Sequence, residues 1–136
     1  MLISPALLDE LIDHAREEAP NECCGMIFAE PGPPLRAVRV HRAVNIAASP
    51  LRFEVDPKEL LRVSGEIEES GSELAIYHSH TRTAPYPSQT DINFAAGWPG
   101  VEWVIVGLAA GDRPEVRSYV IENAEVREVG LEESER

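Results

Sequence analysis

One short apolar segment of the chain leads directly into a pair of histidines. Residues Leu74 to Tyr77 form a compact apolar run, and His78-Ser79-His80 follow it without a break. A bounded run of this kind is typical of a buried strand. Because side chains alternate between the two faces of a strand, His78 and His80 project to the same side while Ser79 points away. The fold must therefore bury this strand and still leave room at its end for two converging imidazoles.

Helical and strand-like patterns alternate along the rest of the chain. Ser4 and Pro5 are residue types that favour the N-cap and first turn of a helix, whose apolar stripe ends before Pro20. Two further helices are predicted, from Pro57 to Gly71 and from about Gln89 to Ala96. Strands are predicted at 23–29, 35–44, 74–77, 101–108, 115–122 and 124–129. This order predicts an α/β fold in which helices pack on a mixed sheet.

The length of 136 residues suits a single domain, 1–136, with one hydrophobic core. No linker, internal repeat or low-complexity tract divides the chain. The segment from about 129 to 136 is acidic and is predicted to be a solvated tail.

The composition argues against several classes of partner. Twelve Lys and Arg against 24 Asp and Glu give a net charge of −12, whereas nucleic acid binding requires clustered basic residues. No window approaches the roughly 18 to 20 apolar residues of a membrane span. The first segment has acidic residues within its apolar pattern and no basic leader, so we expect no signal peptide and a cytoplasmic protein. The oligomeric state is left open.

Cys23 and Cys24 are the two cysteines of the chain, and they are adjacent. Adjacent cysteines rarely close a disulfide, so a reducing compartment is expected. One interpretation makes both of them small apolar strand residues. The other places one of them beside a metal site, because they directly follow Glu22.

Asp91 lies eleven residues after His80, far enough for the chain to return and add an oxygen ligand to the two histidines. Two histidines and one carboxylate leave a fourth tetrahedral position open for water, which is the pattern of catalytic zinc. Zinc lowers the pKa of bound water to about 7, but a base must still carry the proton. Glu22 is the candidate base, since it begins a strand that we expect to lie next to, and parallel to, the His-bearing strand.

Each residue also has an ordinary structural interpretation. An H-x-H pair can be a satisfied polar pair at a strand end, and Glu22 taken alone can be a surface acid. Ser88 and Asp91 match the S-x-x-D/E capping box that starts a helix. His14 and His41 show no partner spacing and are predicted to be structural or exposed.

Taken together, these residues resemble the signature of the JAMM (MPN+) metalloprotease family, E…H-[ST]-H-x7-S-x2-D. Glu22, His78-Ser79-His80, Ser88 and Asp91 match it at every position. The likeness extends to E-x-C-G at 22–25, to R-F-E-V-D at 52–56 and to the I-Y-H-S-H strand. The resemblance implies an MPN-type α/β domain, a curved mixed sheet flanked by helices, with a layout like that of the cytidine deaminases.

The resemblance also implies a role for each residue. His78, His80 and Asp91 would hold one catalytic zinc ion. Glu22 would act as general base and then as the acid that protonates the departing amine. Ser88 would hydrogen-bond the water and the oxyanion, a contact whose loss can cost about 10²–10³ in rate.

Members of this family cleave bonds after the C-terminal glycine of ubiquitin-like proteins. The run from His78 to Asp91 looks like that of short bacterial members, some of which release cysteine from the Gly-Gly tail of a ThiS/MoaD-like sulfur carrier. The resemblance therefore implies zinc-dependent hydrolysis at such a tail. A general isopeptidase for ubiquitin-like modifiers on lysine is one alternative. A non-catalytic MPN scaffold is another, which the complete signature disfavours.

Overall fold

Eight strands and three helices form in the computed structural model, which describes residues 1–135. The helices are α1 (Pro5–Glu18), α2 (Pro57–Glu69) and α3 (Gln89–Ala95). The strands are β1 (Leu2–Ile3), β2 (Cys24–Glu30), β3 (Arg36–Ala43), β4 (Glu73–His80), β5 (Glu102–Gly107), β6 (Glu115–Glu122), β7 (Glu125–Val129) and β8 (Glu132–Glu133). All three predicted helices and all six predicted strands form.

The strands make one mixed sheet in the order β7-β6-β5-β4-β2-β3-β1-β8. β4 is parallel to β5, and β1 is parallel to both β3 and β8. The β2–β3, β2–β4, β5–β6 and β6–β7 pairs are antiparallel. The predicted α/β class with a mixed sheet is therefore confirmed.

Helices cover both faces of the sheet, because side chains of its central strands are apolar on both sides. The layer between α1 and the sheet contains buried residues that include Leu11, Ala15, Cys23, Ile27, Tyr77 and Val104. The layer between the sheet and the other two helices includes Cys24, Met26, Val63, Ile76, Ala95 and Trp103. Successive residues of β2 and β4 alternate between these two layers, so the position of a residue in its strand fixes the layer it enters.

Local signals place the ends of the helices. The Ser4 side chain accepts a hydrogen bond from the Leu7 backbone N–H, as expected of an N-cap, and Asp56 caps α2 in the same way. α2 ends at Glu69, two residues before the predicted end, and Gly71 takes a left-handed φ of +75° in the turn that follows. No helix within residues 1–135 is long and apolar enough to cross a membrane.

The expected direction of β2 relative to β4 is wrong, because the two strands are antiparallel. Cys24 lies opposite His78, and Ala29 lies opposite Glu73. The start of β2 therefore meets the end of β4, where the histidines are. A parallel pair would have placed Glu22 beside the other end of β4, so the antiparallel pairing is what brings Glu22 to the histidines.

Two strands, β1 and β8, were not predicted. Each has two residues, too few to show any apolar periodicity, and they pair with each other near the chain termini. Glu132 and Glu133 have exposed side chains, as expected of the acidic tail, yet the Glu132 backbone N–H donates to the Met1 carbonyl at 2.9 Å. The backbone of the tail is therefore part of the sheet. Its last residue, Arg136, lies outside the described residues.

Replacing Gly25 with alanine is expected to destabilise the fold. An added Cβ would lie 2.3 Å from Tyr77 Cε1 and 2.5 Å from the His41 carbonyl oxygen. Backbone on one side and a buried ring on the other leave little freedom to relax, so we expect a loss of about 3 kcal/mol in the free energy of unfolding. Urea denaturation followed by circular dichroism measures it.

Gly65→Ala is the matched control, because a Cβ at this α2 position meets no atom within 4 Å. Alanine has the higher helix propensity, so this variant should gain about 0.5–1 kcal/mol. Equal effects of the two substitutions would show that the close approach at Gly25 does not constrain the sheet.

Candidate active site

Three buried ligand atoms converge where β4 ends. His78, His80 and Asp91 are 0%, 4% and 3% exposed. The two histidine Nε2 atoms are 3.2 Å apart, and each lies 3.0 Å from Asp91 Oδ2. As expected from strand alternation, both rings enter the same layer, and α3 carries the carboxylate to them.

A capping box at the start of α3 holds Asp91 in place. The Ser88 hydroxyl oxygen accepts from the Asp91 backbone N–H at 3.1 Å, and the Ser88 N–H donates to Asp91 Oδ2 at 2.9 Å. The predicted capping box is therefore confirmed. The same carboxylate oxygen also faces both histidines, so a role of Asp91 in the helix cap is compatible with the predicted role as a ligand.

The ring of His80 is oriented by the loop that follows it. Its Nδ1 lies 2.9 Å from the Ala84 carbonyl oxygen, which can only accept, so Nδ1 carries a proton. In the neutral ring, Nε2 then carries no proton, and its lone pair points at the Asp91 carboxylate. Two acceptors 3.0 Å apart repel each other unless a cation lies with them. The site therefore requires a proton or a metal ion.

The ionisation of the three groups reflects this convergence. Burial raises the pKa of Asp91, but hydrogen bonds from His78 and His80 more than offset it, and the net pKa is lowered. Burial lowers the pKa of His78, which favours the neutral ring that a metal needs. Burial also lowers the pKa of His80, but its bonds to Asp91 and the Ala84 carbonyl outweigh this, and the net pKa is raised.

The geometry fits a small divalent cation. In a tetrahedral site with bonds of about 2.0–2.1 Å, neighbouring ligand atoms are about 3.3 Å apart. The observed separations of 3.0 to 3.2 Å come close to this. Within residues 1–135, His78, His80 and Asp91 form the group of side chains able to hold a metal ion, and His78 Nδ1 is buried without a hydrogen-bond partner.

Glu22 lies at the edge of the same group. The antiparallel register of β2 and β4, extended two residues beyond the Cys24–His78 pair, places Glu22 opposite His80. Glu22 is 3% exposed, and its Oε1 has no hydrogen-bond partner in the described part of the chain. Burial raises the pKa of this carboxyl to about 8, with a further increase from the charge of Asp91 and an opposing effect from His80.

Both interpretations of the cysteines hold in part. Neither Cys23 nor Cys24 forms a disulfide within residues 1–135, and both are buried. Cys23 packs in the layer under α1, whereas Cys24 lies directly opposite His78. Burial raises the pKa of both thiols to about 12, so neither is a thiolate near neutral pH.

Phe53 supports the site and was missed among the candidate residues. Its ring stacks on the His78 imidazole with centroids 4.6 Å apart and an angle of 27°. The R-F-E-V-D stretch was noted as part of the family likeness, but nothing in it marks an aromatic that contacts a metal ligand. The contact is made across the fold, from the loop that joins β3 to α2.

The loop from Thr81 to Pro87 is anchored by a buried tyrosine. The Tyr119 hydroxyl donates to the Pro85 carbonyl at 2.5 Å. Pro85 also packs on Gly107, where an added Cβ would come within 2.7 Å of the proline ring. These contacts fix the Ala84 carbonyl that orients His80.

The two other histidines lie elsewhere, as predicted. His14 is buried in α1, and its Nδ1 is hydrogen-bonded to the Tyr77 hydroxyl at 2.7 Å. His41 is half-buried and lies 3.0 Å from Glu59. Both make structural contacts away from the metal-ligand group.

Comparison with known proteins gives the family. The model of the family described as prokaryotic homologs of the JAB domain matches residues 4–122. The chain is 34% identical over 129 residues to the CysO-cysteine peptidase of Mycobacterium tuberculosis, covering 94% of this chain and 87% of that protein. It is 36% identical over 103 residues to the desampylase of Haloferax volcanii, covering 71% and 73%.

Solved structures agree with this assignment. Protein DSY2949 from Desulfitobacterium hafniense superposes with a TM-score of 0.87 at 28% identity, covering 99% of this chain and 93% of that one. A JAB1/MPN domain protein from Archaeoglobus fulgidus, AF2198, shares the fold alone, with a TM-score of 0.62 at 19% identity and 98% coverage of both chains. The resemblance seen in the sequence is therefore confirmed, and this chain belongs to the prokaryotic JAB-domain family, with a single MPN-type domain.

Proposed function

We propose that this protein is a zinc-dependent peptidase that hydrolyses the bond after the C-terminal Gly-Gly of a small ubiquitin-fold sulfur-carrier protein. The released group would be an amino acid such as cysteine. A hydrolase of this kind is supported by the names of the relatives, a CysO-cysteine peptidase and a desampylase. A ThiS/MoaD-like carrier is the partner that we propose.

The buried carboxyl of Glu22 is the observation that carries the proposal. A carboxyl with an oxygen that lacks a partner within residues 1–135 costs stability, and here it faces the end of the strand that bears both histidines. A pKa of about 8 lies in the range where a group can both accept and return a proton near neutral pH. Perturbed groups of this kind are concentrated at functional sites.

The metal would be held by His78, His80 and Asp91, which present two nitrogens and one oxygen. When bound, zinc lowers the pKa of water to about 7 and polarises a carbonyl group. The fourth position of a tetrahedral site stays free for the reactants. Because the site is buried, the charges of the metal and its ligands would act in a medium of low polarity. Their electrostatic stabilisation of the transition state would be stronger there than in water.

The remaining work falls to two side chains. Glu22 takes a proton from the attacking water molecule while the oxygen of that water forms a bond to the scissile carbonyl carbon. It then gives that proton to the amine nitrogen as the C–N bond breaks, so atoms and charges balance. Ser88 uses its oxygen lone pair to accept from the Asp91 N–H, which leaves its O–H free to donate to the developing oxyanion.

Cleavage of a carrier–cysteine adduct tests the proposal directly. The zinc-loaded protein should release cysteine from the diglycine tail, a chelator should stop the reaction, and added zinc should restore it. Mass spectrometry of the carrier follows the change. Absence of release with zinc bound would contradict the assignment.

A general isopeptidase is the second candidate, because relatives include a desampylase and a probable TtuB-protein conjugate cleaving protease. The same enzyme preparation, given a ubiquitin-like modifier joined to a lysine side chain, separates the two. Faster cleavage of the isopeptide conjugate than of the carrier–cysteine adduct would favour this candidate.

Substitutions should separate metal binding from proton transfer. Glu22→Gln is isosteric and leaves the three ligands in place, so we expect normal zinc content and a loss of turnover of about 10³-fold or more. His78→Ala should lose zinc as well as turnover. Metal analysis and the cleavage assay on the same samples check both. Near-normal turnover in Glu22→Gln would refute the role of Glu22 as base.

The stability of the metal-free protein should depend on pH through Glu22. Its pKa rises from an ordinary 4.5 to about 8 on folding, so between these values the folded state holds a proton that the unfolded chain has released. The contribution of Glu22 to stability therefore falls as the pH rises through this range. We expect the urea midpoint of Glu22→Gln to exceed that of the wild type by an amount that grows from pH 5 to pH 8.

Glu68→Gln, at an exposed position of α2, controls for the loss of one negative charge. A midpoint difference for Glu22→Gln that stays constant with pH, or that shrinks, would contradict the raised pKa.

A further inference from the structure

The segment that joins β3 to α2, residues 44–56, closes on itself next to Glu22. Ile46 N–H donates to the Glu54 carbonyl at 2.9 Å, which holds the two sides of the loop together. The Glu22 backbone N–H donates to the Ser49 carbonyl, also at 2.9 Å. The Glu22 backbone is therefore attached to this loop, and the next residue, Cys23, is hydrogen-bonded to β4.

Asn45 is the centre of the loop. Its Nδ2 donates to the carbonyls of Glu22 at 3.0 Å and Arg52 at 3.1 Å. Its Oδ1 accepts from the backbone N–H groups of Ala47 at 3.1 Å and Glu54 at 3.0 Å. Two carbonyls on one side and two N–H groups on the other allow a single orientation of the amide. All four contacts are to backbone, so Asn45 fixes the path of the chain.

These bonds reach two parts of the site at once. The Glu22 carbonyl belongs to the residue whose carboxyl faces His80. Arg52 and Glu54 flank Phe53, whose ring stacks on His78 at 4.6 Å. One amide side chain therefore connects the backbone of the base to the loop that packs on a ligand.

Ser79 holds the other edge of the same peptide group, which consists of the Glu22 carbonyl and the Cys23 N–H. The Cys23 N–H donates to Ser79 Oγ at 2.8 Å, and the Ser79 N–H donates to the Cys23 carbonyl at 3.2 Å. Glu22 thus lies between a fixed strand and the Asn45 loop. Asn45 Nδ2 donates to the carbonyl of this peptide group, and Ser79 Oγ accepts from its N–H.

We propose that Asn45 is a positioning residue that sets the Glu22 carboxyl relative to the His78–His80–Asp91 group. This inference rests on the proposed function for its catalytic consequence. Asn45 touches none of the reacting atoms and acts through the backbone of Glu22. A displacement of about 1 Å in a catalytic group can cost 10²-fold in rate, so the contact matters even though it is indirect.

Asn45→Asp is the variant that isolates the contact. Aspartate has the same shape and still accepts from Ala47 and Glu54, but it replaces the donor with an oxygen that repels the carbonyls of Glu22 and Arg52. Asn93→Asp is the matched control. Asn93 is exposed on α3, and its side chain accepts from Gln89.

In the zinc-loaded full chain, Asn45→Asp should lower kcat for the carrier–cysteine adduct roughly 10- to 100-fold. KM should stay within about threefold of the wild type and zinc content should be unchanged, because Asn45 bonds none of the three residues that would hold the metal. Asn93→Asp should match the wild type in all three quantities.

Amide hydrogen exchange in the metal-free protein gives a readout that does not depend on activity. In Asn45→Asp, the amides of Glu22 and Cys23 should exchange at least about tenfold faster, while those of β5 keep the wild-type rate. Asn93→Asp should leave all of them unchanged. This pattern would locate the effect at the Glu22 backbone rather than in the whole fold.

Three outcomes would overturn the proposal: a kcat within twofold of the wild type, a joint change of kcat, KM and zinc content, or unaltered exchange at Glu22 and Cys23. If Asn45→Asp fails to fold, this also counts as the second outcome, because it would show that Asn45 stabilises the fold as a whole. If the wild type itself cleaves no diglycine substrate, the proposed function fails, and the exchange measurement still decides whether Asn45 holds Glu22.

Discussion

The antiparallel ladder between β2 and β4 is the interaction on which the rest of the site depends. It pairs Cys24 with His78, and two residues earlier it brings Glu22 to the end of β4. Because side chains on adjacent strands share a face where they lie opposite each other, Glu22 and His80 enter the same layer. A shift of one residue would send the carboxyl into the layer under α1. Hydrogen bonds between the two backbones therefore set the distance between the candidate base and the candidate metal ligands.

Several hydrogen-bond acceptors lie close together in the site, and a bound cation would relieve the repulsion between them. Asp91 Oδ2 and His80 Nε2 face each other at 3.0 Å, and Glu22 adds a carboxyl with an oxygen that has no partner in the described chain. A protein stabilised only for folding would fill such a space with apolar side chains. The apolar layer that surrounds the group, Phe53 among its members, carries the stability that the polar group does not provide.

Local patterns in the sequence predicted the helices, most strands and the two histidines and Asp91 that the fold brings together. Ser4 and the Ser88–Asp91 pair cap helices by hydrogen bonds to residues only three positions away in the sequence. The shared face of His78 and His80 follows from the geometry of a strand alone. The direction of β2 against β4 was not predictable in this way, because both directions bury the same apolar run. The role of Asn45 was not predictable from the sequence either. Its partners are backbone groups, which every residue has, so no pattern of residue types marks the contact.

Asp91 Oδ2 completes the N-terminal cap of α3 as well as facing two imidazoles. Its replacement therefore removes a candidate ligand and also weakens the start of a helix, an additional cost of about 0.5–2 kcal/mol. Replacing Glu22 has the opposite effect on stability, because it removes a buried carboxyl with an oxygen that lacks a partner within residues 1–135. A descendant of this fold released from selection for hydrolysis would thus lose Glu22 early and keep Asp91 late.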